Sequence, residues 1–279
     1  MTCLAAAGAG LWAALGGAPA AQAAGSVPTP DHVVVVVMEN HAYSQIIGSS
    51  SAPYINSLKS GGADLASSYA ITHPSQPNYF ALFSGSTQGV TDDSCYTPGF
   101  SSAANLGSEL ASAGKSFASY NETLPSAGST TCSSGKYARK HNPWFGFRNV
   151  PTSTAHTFAQ FPTDFTQLPQ VSFVTPNLCS DMHDCSVATG DTWLQNNLGA
   201  YATWAKTHHS LLLVTFDEDN SLSGNKITTV LYGQPVKPGS SSSAKYTHYN
   251  VLRTIEDMYG TGHAGQAAGA TDISGIWTS

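Results

Sequence analysis

Two stretches of this chain run from wholly apolar residues straight into oxygen ligands: HVVVVVMENH at 32–41 and LLLVTFDEDN at 211–220. The first delivers Glu39 and Asn40 past five consecutive valines, and the second delivers Asp217, Glu218 and Asp219. Carboxylates that converge in a partly buried place repel unless they share protons or bind a cation, and a divalent metal is the simplest resolution. Taken singly, Glu39 or Asp217 reads equally well as a capping residue. Two such clusters, each behind an apolar strand, favour the metal. A third stretch, THPSQPNY at 72–79, sets Ser75 where a helix N-cap belongs, with Pro77 in the first turn. A serine there most often only caps. The same geometry aims Oγ at a phosphate held by backbone N–H groups and the helix dipole, and a metal on Oγ would lower its pKa.

Elements that would position these groups alternate along the chain. Fully apolar strands are expected at Val33–Met38 and Leu211–Phe216, with further strands at Leu65–Ile71, Ser116–Tyr120, Val171–Thr175 and Lys226–Tyr232. Helices are expected at Ala52–Ser60, Ser75–Ser84, Asn105–Ala113, Thr192–Thr207 and Thr247–Tyr259, the last with Val251, Leu252, Ile255 and Met258 on one face. This alternation predicts a three-layer α/β fold, a mainly parallel sheet covered by helices on both faces. Functional groups in such sheets collect past the carboxyl ends of the strands, where both acidic clusters lie. The Ser/Gly-rich stretches at 121–136 and 238–244 read as loops, so 25–279 is expected to be one domain.

Composition narrows the partners. Charged residues make up 10% of the 279 residues, the net charge is −6, and no Lys/Arg run exists, which argues against nucleic acid and against a stable hold on an anionic membrane. An anionic substrate then needs a local positive feature such as a metal or a helix N-terminus. Residues 1–24 read as a secretory signal peptide: an Ala/Gly/Leu-rich run ends in Ala21-Gln22-Ala23, an A-x-A cleavage site. No Lys or Arg precedes Lys59, so the natural start is expected further upstream. Removal of Cys3 with the signal leaves Cys95, Cys132, Cys179 and Cys185, an even count that suggests two disulfides among three connectivities. We take Cys95–Cys132 and Cys179–Cys185. A metal site at the second pair, around His183 and Asp184, competes with that reading, but thiolate ligation fits poorly with an oxidising compartment.

HVVVVVMENHAYSQIIG, APYINSLKSGGA and THPSQPNYFALFSG together resemble the bacterial and fungal phosphoesterase family of acid phosphatases and phosphatidylcholine-type phospholipases C. YARKHNPW (137–144), PNLCSDMHDCSV (176–187), TFDEDN (215–220) and HYNVLRTIED (248–257) match it as well. The resemblance implies an alkaline-phosphatase-like fold and metal-dependent hydrolysis of phosphoric esters. Ser75 is then the nucleophile, since Ser-x-Pro-Asn is similar to the Thr-x-Pro-Asn motif of nucleotide pyrophosphatase/phosphodiesterases. Carried across by position, Glu39, Asn40, Ser75, Asp217 and Glu218 form the metal set. Two-zinc relatives have Asp-His where this chain has Asp217-Glu218. That departure favours one hard ion, with Ca²⁺, Mg²⁺, Mn²⁺ and Zn²⁺ left open.

Among the ten histidines, His73 precedes Ser75 by two residues, and His141, His183 and His248 fall in family motifs. These four are the catalytic candidates, for binding phosphoryl oxygens or protonating a leaving group. His41 is placed behind the ligands. Asp181, Asp184 and Asp191 are candidates for orienting the rings or holding a second ion. The expected reaction is attack by Ser75, formation of phosphoserine and its hydrolysis by water, on a small phosphate ester and at acidic pH. A phosphodiesterase or phospholipase C is the alternative within the family. A carboxylic-ester hydrolase with a Ser75–Asp217–His248 triad is the alternative outside it, although H-P-S-Q-P is not the G-x-S-x-G elbow.

Overall fold

The computed structural model describes residues 27–278 together with the first two; the expected signal peptide and Cys3 lie outside the described residues apart from that end. The chain begins with β1 (Val33–Met38), a short α1 (Tyr43–Ile46), α2 (Pro53–Gly61), β2 (Ala63–Leu65), β3 (Ser68–Tyr69) and α3 (Ser75–Ser84). It continues with α4 (Leu106–Ser112), β4 (Phe117–Asn121), the small hairpin β5 (Ser133–Ser134) and β6 (Tyr137–Ala138), then β7 (Ala155–Thr157) and β8 (Val171–Thr175). The last part holds α5 (Val187–Ala205), β9 (Leu211–Phe216), β10 (Lys226–Ile227), β11 (Thr229–Gly233), β12 (Ser240–Ser242), β13 (Tyr246–Thr247) and α6 (His248–Tyr259).

Eight strands form one sheet in the order β12-β2-β11-β9-β1-β8-β4-β7. Its pairings are parallel except around β11, which runs antiparallel to both β2 and β9. β1 sits inside it between β8 and β9, with Val33–Met38 in register against Leu211–Phe216. Successive side chains of a strand face opposite ways, so the valine run serves two cores. Val33, Val35 and Val37 pack with α3, α4 and α6, while Val34, Val36 and Met38 pack with α2 and α5. None of the five valines is more than 4% exposed, and each such burial contributes about 1.5–3 kcal/mol relative to exposure. The central strand is therefore held on both faces, and the residues that follow it inherit a fixed position.

The expected three-layer α/β fold is present, with local corrections. Leu65–Ile71 is not one strand: β2 ends at Leu65, and β3 belongs to a separate three-stranded sheet with β10 and β13. Ala66, Ser67 and Ser68 offer no apolar run to sustain central pairing, and the chain leaves after the Ala66 N–H bonds Ser242. Lys226–Tyr232 divides in the same way, β10 joining the small sheet and β11 the large one. Helix α5 begins five residues earlier than expected because Ser186 Oγ caps the Thr189 N–H, and Asp191 is buried against the Tyr54 and Ile55 N–H groups. Ser75 is the first helical residue rather than the cap, which is Pro74. Its hydroxyl is thereby released from capping. Helix α3 is buried along its whole length and ends at Gly85, whose φ of +65° and carbonyl neighbour Ala264, 2.0 Å from where a Cβ would sit, exclude any side chain.

Candidate active site

β1 and β9 end side by side and deliver their acidic residues to one place. Glu39 is fully buried, and its Oε2 accepts the Ser75 hydroxyl at 3.0 Å. Glu218 Oε1 lies 3.4 Å from the same hydroxyl. The chain turns at Asn40 through a left-handed backbone (φ 57°), which asparagine tolerates, and this aims the Asn40 N–H at Asp217 Oδ1, 3.0 Å away. Ser75 thus sits among Glu39, Asp217 and Glu218, brought there by the first turn of α3. Asn78, one turn on, accepts the Ile71 and Thr72 N–H groups and pins the loop that leads into the helix.

A second group adjoins the first. His141 is buried with Nε2 3.2 Å from Glu39 Oε1 and Nδ1 3.2 Å from Asp181 Oδ2. Tyr79, one turn after Ser75 on the same face of α3, stacks on His141 at 4.9 Å and donates its hydroxyl to Glu39 Oε1. Ligand atoms of Glu39, His141 and Asp181 all lie within 4.8 Å of one another. Asp181 is tied back to β1, since its carbonyl accepts the Glu39 N–H.

Electrostatics set the demand. Burial above all, then Asp217 and Asp181, pushes the Glu39 carboxyl well up from its ordinary range. Burial followed by Glu218 pushes Asp217 up to about 8, burial followed by Asp93 pushes Glu218 up to about 7, and burial pushes Asp181 up to about 7. Burial also holds the His141 imidazole well below its ordinary value, so the ring is neutral. His141 Nε2, Asp181 Oδ2 and Asp217 Oδ2 are buried without a hydrogen-bond partner. Four carboxylates and a neutral imidazole with orphaned lone pairs are the donor set a hard or borderline cation takes. These residues fit a divalent ion.

The remaining histidines divide. His73 rests against Glu218 Oε2 at 2.7 Å and Asp219 Oδ1 at 3.3 Å, about a third exposed at the mouth of the site. His183 bonds Asp184 through Nδ1 at 2.8 Å and faces Lys140 through Nε2 at 3.3 Å. Because an ammonium only donates, Nε2 accepts and the proton is assigned to Nδ1. His248 holds the Asp217 carbonyl with Nε2 at 2.7 Å, and burial lowers its pKa to about 4. Its bond is to backbone, and the hydrogen bonds of the described residues include none between His248 and Ser75 or the Asp217 carboxylate, so the Ser75–Asp217–His248 triad is not assembled. His41 bonds the Glu39 carbonyl through Nδ1 at 2.7 Å. Beside it opens a groove of about 610 Å³ lined mainly by serines and the start of α5.

Both expected disulfides are formed, Cys95–Cys132 and Cys179–Cys185, which removes the thiolates from any metal site. The second closes the loop that presents Asp181 and His183. Sequence reasoning passed over Tyr79, Lys140 and Asp93. Tyr79 was within reach, lying four residues after Ser75 on a helix, where side chains share a face. Lys140 adjoins His141. Asp93 carries no signal beyond its nearness to Cys95.

Comparison with known proteins agrees with this geometry. The model of the Phosphoesterase family matches residues 49–262. The phosphatidylinositol-3-phosphatase of Mycobacterium tuberculosis is 52% identical over 91% of this chain and 85% of its own length. A probable acid phosphatase of Kluyveromyces lactis is 29% identical over 86% of this chain but only 60% of its own. Among solved structures, an alkaline phosphatase superfamily protein from Vibrio parahaemolyticus superposes with a TM-score of 0.63 at 10% identity, covering 89% of this chain and 71% of that one. That likeness bears on the fold alone.

Proposed function

The chain belongs to the phosphoesterase family, and from that premise we propose that it is an exported, metal-dependent acid phosphatase in which Ser75 attacks phosphorus and forms a phosphoserine. Hydrolysis of phosphoric esters follows from the family and its phosphatase relatives. One observation carries the finer reading: the Ser75 hydroxyl, on the first turn of a buried helix, points at two carboxylates whose burial calls for a cation.

One divalent ion would be held by Glu39, Asn40, Ser75, Asp217 and Glu218, with His141 and Asp181 completing the donors around Glu39. Such an ion supplies positive charge that lowers the serine pKa and offsets charge gathering on the phosphoryl oxygens. The residues do the rest. Ser75 Oγ forms the bond to phosphorus while its proton passes to the Glu39 or Glu218 carboxylate it already faces. The ester P–O bond breaks in line, and His73, about a third exposed at the mouth, is the residue that hands a proton to the departing alcohol. Water then attacks the phosphoserine and releases phosphate. His183 takes part through Lys140, whose ammonium its Nε2 accepts, and His248 takes part by fixing the Asp217 main chain. The mycobacterial relative's name as a phosphatase supports monoesters. Two disulfides support export.

The test is acid quench of the enzyme with ³²P-labelled monoester, followed by peptide mapping. Label on Ser75 is expected in the wild type and none in Ser75→Ala. Wild-type turnover in Ser75→Ala would sink the reading. Parallel rates on p-nitrophenyl phosphate, bis-p-nitrophenyl phosphate and phosphatidylcholine decide monoester against diester, with the first expected to dominate.

A further inference from the structure

Among the described residues, one ammonium group reaches this cluster of carboxylates. Lys140 Nζ lies 2.7 Å from Asp93 Oδ2 and 3.3 Å from His183 Nε2, on a side chain only 19% exposed. The other oxygen, Asp93 Oδ1, accepts the Gln76 N–H at 2.9 Å. Gln76 follows Ser75 directly, so this is the peptide N–H next to the reacting hydroxyl. Gln76 also clasps the Asp93 loop, its Nε2 donating to the Asp92 and Ser94 carbonyls.

A single carboxylate therefore spans a lysine ammonium and a helix-first-turn N–H, one oxygen on each. Two oxygens of a phosphoryl group can take the same two donors, and charge-assisted bonds of this kind are the strong ones. A dianion entering a site of four carboxylates gains from every positive group it can reach. With Asp93 in place, the Lys140 charge is already spoken for. A cavity of about 170 Å³ adjoins the pair, lined by Gln76, Asp93, Tyr96 and Lys140 among others, which gives the Asp93 side chain room to turn without displacing α3.

We propose that Lys140 is a further catalytic residue whose ammonium, with the Gln76 N–H, binds non-bridging phosphoryl oxygens, and that Asp93 occupies this place until substrate displaces it. The proposal rests on Ser75 as nucleophile, which places the phosphoryl group beside Gln76. Asp93 is then an internal competitor, and Lys140 transfers its charge from that carboxylate to the substrate. No proton moves in the exchange.

The experiment measures p-nitrophenyl phosphate hydrolysis and competitive inhibition by inorganic phosphate on the full chain with a divalent metal, for wild type, Asp93→Ala, Asp93→Asn and Lys140→Met. Both Asp93 variants are expected to lower the phosphate Ki, Asp93→Ala by about tenfold, with KM falling alongside. Lys140→Met is expected to raise Ki and cut kcat/KM by about 10- to 100-fold, the range of one charge-assisted hydrogen bond. Thermal melts check folding, and Asp93→Asn, which keeps an acceptor for the Gln76 N–H, serves where Asp93→Ala does not fold. A Ki that stays level or rises in the Asp93 variants overturns the proposal and makes Asp93 a mere support for Lys140. Calorimetric phosphate binding to Ser75→Ala, with and without Lys140→Met, separates the two readings. Turnover by Ser75→Ala strikes the nucleophile assignment, whereas equal phosphate affinity with and without Lys140 strikes only this proposal.

Discussion

Ser75 Oγ lies 3.0 Å from Glu39 Oε2, though 36 residues separate them in the chain. The contact joins the end of the central strand to the first turn of a helix that is buried along its whole length, so neither partner can move without disturbing a core. Under the proposed mechanism, proximity fixed by the fold in this way would let Ser75 be activated by a carboxylate and a cation rather than by a histidine.

Glu39→Ala is expected to abolish metal binding and turnover together. Glu39 serves Ser75 with one oxygen and His141 and Tyr79 with the other, so its loss empties both groups of donors at once. The fold should survive, because the deleted carboxylate is one of several repelling charges and β1 is anchored by its valines. Metal content after dialysis, p-nitrophenyl phosphate turnover and a thermal melt are the measurements. A drop of at least about 10³-fold in kcat is expected, in line with removing a member of a catalytic unit. Retained metal with lost turnover would count against Glu39 as a ligand.

Tyr79→Phe separates support from ligation. The phenol donates to Glu39 and stays protonated, since burial and the neighbouring carboxylates push its pKa well up. Deleting the hydroxyl leaves Glu39 short of one donor at a cost of about 1–3 kcal/mol, while the ring still stacks on His141. Metal affinity should fall by about tenfold or more, and kcat at saturating metal should change much less. Equal losses in kcat with and without excess metal would show that the phenol acts on the reaction itself.

Metal removal should make stability depend on pH in a defined direction. Without a cation the folded site holds protons on Glu39, Asp217, Glu218 and Asp181, three of them pushed up to about 7 or 8. The unfolded chain releases the same protons near the ordinary carboxylate values. Stability of the chelated protein is therefore full below that range and is lost as pH rises through about 7–8. A bound cation displaces those protons, so metal affinity rises with pH. Melting curves with EDTA and with metal should diverge more at pH 8 than at pH 5. A constant gap across that interval would mean that these carboxylates are not the ligands.

The sequence made the central strands legible because short valine- and leucine-rich runs bounded by polar residues favour buried strands, and it made the carboxylate cluster legible because both runs end in acidic residues. Ser75 and His141 were legible through their motifs. The division of 65–71 and 226–232 between two sheets was not, since short Ser- and Thr-rich segments carry no periodicity that tells one sheet from another. Asp93 was invisible for a different reason: its role depends on a loop folding back across 17 residues onto Gln76, a relationship no local pattern encodes. The sequence leaves Asp181 as either a support for the rings or a ligand of a second ion, and the closeness of His141, Glu39 and Asp181 in space groups it with the donors around Glu39.

A carboxyl pair outside the site, Glu256 buried and Glu109 half-buried, provides an independent test of burial. Glu256 on α6 is fully buried, and its Oε1 accepts the Ala264 N–H at 2.9 Å. Glu109 of α4 faces it, and burial together with that neighbour raises Glu256 from 4.5 to about 9. The folded chain thus keeps a proton between those values that the unfolded chain has lost, and the pair's contribution is full below pH 4.5 and lost as pH climbs toward 9. Glu256→Gln reproduces the protonated form: its carbonyl oxygen can take the Ala264 N–H and its amide can donate to Glu109. Near pH 4.5 the variant and the wild type should melt together. By pH 9 the variant should melt higher, by about 2–4 °C for each kcal/mol recovered. Parallel melting curves across that range would mean that Glu256 ionises freely in the folded protein, and that burial between α4 and α6 does not hold its proton.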